Sequence, residues 1–117
     1  MLPATHIFTN MNIQDAHSDD AVNIAPHLHK ILLEENDIRV LKVTVKPGET
    51  AEMHWHPRNI NYIISPGTLA FTKEDGSVIE IELAVGQVTS GLAGSHAVKN
   101  IGDTTVETVQ VELKDVV

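Results

Sequence analysis

The chain contains no cysteine, which excludes a disulfide framework, a thiolate metal site and a cysteine nucleophile. No apolar run approaches the ~20 residues that a membrane-spanning helix needs. Residues 1–12 lack the basic segment and the apolar segment that together make a signal peptide. From these absences we expect a cytoplasmic protein.

Positive charge and aromatic side chains are also scarce. Lysine and arginine total 8 against 16 acidic residues, a formal net charge of −8. Since no basic cluster offsets this balance, we expect neither nucleic acid nor an anionic membrane as a partner. One Trp, one Tyr and two Phe are the whole aromatic content, so the core must be mainly aliphatic.

The length and the apolar pattern predict one β domain. A chain of 117 residues closes a single core but is too short for two. From residue 28 onward, short apolar runs alternate with turn signals about every 8 to 12 residues, which is typical of an all-β sandwich or barrel. No segment has a sustained helical period, so we expect little helix. Residues 1–27 are predicted to form an N-terminal arm with a short strand at 6–9, and residues 28–117 to form the barrel.

Local patterns predict individual strands and their orientation. Ile38 to Val45 reads as one long strand, and Asp75-Gly76 between two alternating segments predicts a hairpin. Alternation near the C-terminus predicts that Val109, Val111 and Leu113 face the core while Gln110 and Glu112 face solvent.

Histidine is over-represented, with seven in the chain. In His54-Trp55-His56 the two histidines project from the same face of a strand, and their imidazoles can share one ion at about 2.1 Å. A third ligand must come from elsewhere, and His96, which follows a glycine turn, is the best candidate. The alternative is that His54 and His56 are ordinary surface residues and that His96 is a solvated or hydrogen-bonded residue. For a second pair, His27 and His29, we expect an exposed strand edge.

The residues that flank these histidines, and their spacing, resemble the two motifs of the cupin family. The family patterns are G(X)5HXH(X)3-4E(X)6G and G(X)5PXG(X)2H(X)3N. The first match consists of Gly48, His54-Trp55-His56 and Gly67, and the second of Gly86, Leu92, Gly94, His96 and Asn100. The motif glutamate is missing, with Ile60 and Asn61 in its place. In the second motif Leu92 replaces proline, and one residue is absent between Gly94 and His96.

The resemblance implies a cupin double-stranded β-helix, or jelly-roll barrel, that holds one divalent metal ion (Fe, Mn, Ni, Zn, Cu or Co). His54, His56 and His96 are the implied ligands, with Asn61 as a further candidate. Without the glutamate the ligands are neutral, so the ion keeps its full charge and favours anionic or enolisable molecules. Arg58 is a candidate for binding a substrate carboxylate at the barrel mouth; the alternative is an ordinary surface charge.

Several functions stay open at this point, because the cupin fold serves many of them. One hypothesis is a metal-dependent enzyme of dioxygenase, isomerase or lyase type that acts on a polar small molecule in the barrel. Its rival is a non-catalytic binding or sensing module with weak or no metal, and a metal-free structural barrel is a third. The resemblance also implies a homodimer, for which the aliphatic runs at 31–33 and 38–45 could supply the surface.

Overall fold

The computed structural model describes residues 18–114, so the strand predicted at 6–9 lies outside the described residues. Within this range the chain forms one short helix and nine strands. In chain order they are α1 (Ala21–Ile24), β1 (His29–Glu34), β2 (Ile38–Val45), β3 (Thr50–His56), β4 (Asn59–Ser65), β5 (Gly67–Lys73), β6 (Val78–Leu83), β7 (Val88–Gly91), β8 (Gly94–Asn100) and β9 (Val106–Leu113). The small helix content that was predicted is confirmed for this part of the chain.

The strands form two sheets. One has the order β1-β2-β9-β4-β7 and the other the order β3-β8-β5-β6. Every pairing within them is antiparallel. From β2 to β5 the chain passes from one sheet to the other with each strand, as a double-stranded β-helix does. The predicted all-β jelly-roll barrel is therefore confirmed.

Two turns fix the ends of the barrel strands. Gly76 has a φ of +87° in the β5–β6 hairpin, a conformation that glycine adopts without steric cost, which confirms the hairpin predicted from Asp75-Gly76. At the end of β8 the side chain of Asn100 donates to the carbonyl oxygens of Val45 and Thr104, both at 2.8 Å. These bonds tie β8 to β2 and to the turn before β9.

Aliphatic side chains fill one end of the barrel. The buried cluster consists of Ala25, Leu28, Val45, Ala51, Leu69, Val98 and Val106. Asp20 accepts a hydrogen bond from the backbone N–H of Val22 and so caps α1. Residues 20–25 thus pack on the barrel, and the arm boundary after residue 27 stays a prediction. No helix within residues 18–114 is long and apolar enough to cross a membrane.

The predicted orientation of β9 is wrong. Gln110 and Glu112 face the interior and are buried, while Val109, Val111 and Leu113 are half-buried on the other face. Alternation alone assigns the apolar set to the core. Here the inner face of β9 runs along the polar end of the barrel, where Glu112 pairs with buried Arg39 and His56.

Candidate metal centre

The three histidines predicted as ligands lie together inside the barrel. His54 and His56 project inward from β3, and both are buried. His96 on β8 is the direct cross-strand partner of His54. The ring centroid of His54 lies 4.9 Å from that of His56 and 4.8 Å from that of His96. Strand register thus brings together residues more than forty positions apart.

His29 joins this group, which the sequence analysis did not predict. Its ring centroid lies 5.2 Å from that of His54 and 5.3 Å from that of His56. One ring nitrogen from each of these three histidines lies within 4.8 Å of the others. The expectation of an exposed strand edge is therefore wrong for His29, which is buried, although His27 is exposed. His29 is buried because of tertiary contacts that the sequence pattern does not show. Its neighbour Leu28 is buried, and the pairing of β1 with β2 places His29 over the barrel interior.

Hydrogen bonds to backbone carbonyl oxygens fix the tautomers of His29 and His54. Nδ1 of His29 lies 2.9 Å from the carbonyl oxygen of Ala25, and Nδ1 of His54 lies 2.7 Å from that of Glu52. A carbonyl oxygen only accepts, so each Nδ1 carries the proton. Each Nε2 of these neutral rings therefore keeps its lone pair, which is the form that binds a metal.

His56 is oriented by a carboxylate. Its Nδ1 lies 2.6 Å from Oε2 of Glu112, and Oε1 of Glu112 accepts a hydrogen bond of 2.7 Å from Nε of Arg39. Nη2 of Arg39 in turn lies 3.0 Å from Oδ2 of Asp20. All four side chains are buried. A carboxylate that accepts from a ligating histidine is a common outer partner in metal sites, because it fixes the ring and raises its basicity.

One buried nitrogen atom of the cluster bears on whether the cluster fits a metal ion. Nε2 of His54 is buried and has no hydrogen-bond partner among the described residues. Such an atom costs free energy unless something satisfies it. A divalent metal ion that takes imidazole ligands would do so, and the neutral nitrogen donors suit Zn, Cu, Fe or Ni. The residues present therefore fit a metal ion.

Burial keeps these rings neutral. It lowers the pKa of His56 to about 3, helped by the neighbouring His54. Burial, with the effect of His56, lowers the pKa of His29 and of His96 to about 3 as well. The pKa of His54 is also lowered, mainly by burial. At neutral pH the cluster thus presents uncharged nitrogen donors.

The cluster opens onto a cavity of about 610 Å³. Asn61 lines it from β4 and donates a hydrogen bond of 2.9 Å to Oδ1 of Asn59. Ile60, the other residue at the motif's glutamate position, is exposed on the outer face. Arg58 is exposed, and its backbone carbonyl accepts from Leu113 at 2.8 Å. Its side chain is not among those that line the cavity, and the ligand roles of Asn61 and Arg58 stay predictions.

Sequence reasoning missed four residues near the site: Asp20, His29, Arg39 and Glu112. Arg39 and Glu112 are direct register partners on β2 and β9, with opposite charges. Once these two strands are paired, that charge pair is the signal that would have found them.

Comparisons with known proteins agree with this fold. The family model for the cupin domain matches residues 41–112. No curated protein sequence matches the chain significantly. A cupin domain structure from Bordetella pertussis Tohama I is 21% identical, with a TM-score of 0.68, and the match covers 74% of this chain and 92% of that one.

Two further structures have the same fold. A Thermotoga maritima protein, described as a predicted oxalate decarboxylase, is 26% identical with a TM-score of 0.56; 74% of this chain and 78% of that one are covered. An RmlC-like cupin with a double-stranded β-helix fold from Methanocaldococcus jannaschii is 17% identical with a TM-score of 0.61; 74% and 79% are covered. The match to the family model, together with the fold, shows that this chain belongs to the cupin family.

Proposed function

We propose that this cupin is a metal-dependent enzyme that acts on a small molecule held in the barrel cavity. His54, His56 and His96 would hold one divalent ion, with His29 as a fourth nitrogen donor. The observation that carries the proposal is Nε2 of His54, which is buried in this cluster without a hydrogen-bond partner in residues 18–114. The carboxylate behind His56 supports it.

A divalent ion bound there would supply Lewis-acid polarisation of a substrate oxygen or a centre for activating dioxygen. The chain's own residues do the rest. The hydrogen bonds from Nδ1 of His29, His54 and His56 hold the three rings in place. The rings would therefore reorganise little when an ion binds. Asn61 and Gln110, which line the cavity, would orient the substrate, and the barrel walls would restrict access of water.

A non-catalytic binding module is the second candidate, and one feature of the cavity favours it. The only carboxylates among the described lining residues are Glu74 and Asp75, which are exposed at the β5–β6 turn. Glu112 lies behind His56, accepts a hydrogen bond from Arg39 and does not line the cavity. Among the described lining residues, therefore, no buried carboxyl group is available for general acid or base catalysis. A binder needs none.

Oxygen consumption tests the enzyme proposal. Protein purified without a histidine tag is freed of metal, reloaded separately with Fe(II), Mn(II), Ni(II), Zn(II), Cu(II) or Co(II), and screened against thiols and 1,3-diketones. Isomerisation and cleavage are followed by NMR in the same samples. The enzyme proposal expects turnover with at least one ion and none with His54→Ala. No turnover with any of these ions would contradict the enzyme proposal and favour the non-catalytic binding module.

We also propose a cytoplasmic homodimer that binds neither nucleic acid nor membranes. The net charge of −8 supports the last two points. Ile31, Leu32 and Leu33 are 44%, 51% and 45% exposed on β1, which is an edge strand of its sheet. A second copy pairing there would cover them. Sedimentation should then give a dimer for the wild type and a monomer for Leu32→Lys; a wild-type monomer would contradict the proposal.

A further inference from the structure

The cavity beside the histidines has one polar and one apolar region. Asn59, Asn61, Thr108 and Gln110 line it near the histidine cluster. The apolar region comprises Val43, Ile63, Leu69, Phe71, Ile81 and Leu83, and the ring centroid of Phe71 lies 5.0 Å from that of His96. A ligand that fills this space must therefore present a largely apolar body to the second region.

Charged groups are confined to the rim. Among the described lining residues, only Lys73, Glu74 and Asp75 are of the Lys, Arg, Asp or Glu type, and all three are exposed, at the end of β5 and in the turn that follows it. Arg39, the buried cation nearest the histidines, already pairs with Asp20 and Glu112 and does not line the cavity. Away from the histidine cluster, the described residues thus offer no buried cation to a ligand's carboxylate or phosphate, and burying such a group unpaired is costly.

Gln110 provides a specific polar contact. Its side chain lines the cavity, it is only 7% exposed, and its Oε1 is buried without a hydrogen-bond partner among the described residues. Gln110 lies on β9 opposite Asn61 of β4, in the polar region of the cavity. A buried acceptor of this kind is satisfied when a ligand donates to it.

We propose that the cavity binds an uncharged molecule with an apolar body and a hydroxyl or amide N–H that donates to Oε1 of Gln110. The inference rests on the proposed function for the place of the ligand, beside the histidine cluster. It deepens that function by naming the substrate class. It also departs from the anionic substrate expected from Arg58, because that side chain lies outside the cavity lining.

The test uses metal-free protein, so that no ion takes part, and three probes of similar size: benzyl alcohol, ethylbenzene and benzoate. NMR titration measures each affinity for the wild type and for Gln110→Met, which keeps the length of the side chain but removes the acceptor. Gln87→Met is the matched control, because Gln87 lies in an exposed turn and its Oε1 accepts from Ala84. Should Gln110→Met fail to fold, Gln110→Asn withdraws the oxygen by one methylene.

Benzyl alcohol should bind the wild type more tightly than benzoate. Gln110→Met should weaken benzyl alcohol about three- to tenfold, the effect of one lost hydrogen bond, and leave ethylbenzene unchanged or tighter. Gln87→Met should change neither. The inference is overturned if benzoate binds as tightly as the alcohol, if Gln110→Met affects alcohol and hydrocarbon equally, or if no probe binds at its solubility limit.

Metal uptake, measured on the same preparations, separates this inference from the proposed function. Alcohol binding at Gln110 in a protein that takes up no metal supports the ligand class while contradicting the metal site. Metal uptake without alcohol binding overturns the ligand class alone.

Discussion

Nδ1 of His56 lies 2.6 Å from Oε2 of Glu112, although the two residues are 56 positions apart in the chain. The contact joins the histidine pair of β3 to the inner face of β9 and, through Arg39, to Asp20. With two carboxylates and one guanidinium, this buried group has a formal net charge of −1. It places negative charge behind the cluster in a protein whose first motif lacks its glutamate.

Replacing Glu112 by Gln should weaken metal binding about 10- to 100-fold, because the outer carboxylate no longer raises the basicity of His56. Competition with a chromophoric chelator measures the affinity. Glu107→Gln is the control, since Glu107 lies on the same strand but forms a partly exposed ion pair with Lys42 at 3.4 Å. Equal affinities for the two variants would contradict the role of Glu112.

His29→Ala should alter the metal centre, whereas His27→Ala should not. Both residues belong to one His-x-His pair, but the ring of His29 lies in the cluster, while Nε2 of His27 lies 3.1 Å from the carbonyl oxygen of Thr50. The absorption spectrum of the Co(II)-loaded protein reports the number and type of ligands. An unchanged spectrum in His29→Ala would show that this histidine is not a ligand.

Arg39→Met should destabilise the fold by about 3–5 kcal/mol, because it leaves the buried carboxylates of Asp20 and Glu112 without their cation. Urea denaturation of metal-free protein measures the change in the free energy of unfolding. Lys42→Met, the neighbouring control on β2, removes a partly exposed pair worth about 0–1 kcal/mol. Comparable losses in the two variants would mean that the buried network contributes no more than a surface pair.

Metal-free protein should lose stability as the pH falls below about 6.5, the ordinary histidine pKa. Burial lowers the pKa of His29, His56 and His96 to about 3, so between these values the unfolded chain binds protons that the folded chain does not. The free energy of unfolding therefore rises with pH in this window, by up to about 1.4 kcal/mol per pH unit for each such histidine. Urea midpoints at pH 7.5 and 5.5 measure it, and equal midpoints would contradict neutral buried rings.

The sequence predicted the parts of this protein that depend on local pattern. Period-two spacing places His54 and His56 on one face, and turn signals delimit β2 and the Asp75-Gly76 hairpin. The spacing of the second cupin motif predicted His96, although the chain has one residue fewer than the motif between Gly94 and His96. These features need only short stretches of chain.

The predictions that were wrong concern residues whose burial depends on contacts between strands that are distant in the sequence. The burial of His29 requires the pairing of β1 with β2, and nothing in the pair His27-His29 distinguishes the two residues. On β9, alternation assigns Glu112 to solvent, but this residue is buried because its charge is paired. Its partners Arg39 and His56 lie on β2 and β3, so only the closed barrel reveals the compensation.

Elemental analysis tests the central claim most directly. Wild-type protein and a His54→Ala/His56→Ala variant, both purified without a tag and dialysed against the same mixture of divalent ions, are compared for bound metal per chain. We expect close to one tightly bound transition-metal ion per wild-type chain and almost none in the variant. The same negligible metal content in both proteins would contradict a metal centre at this cluster.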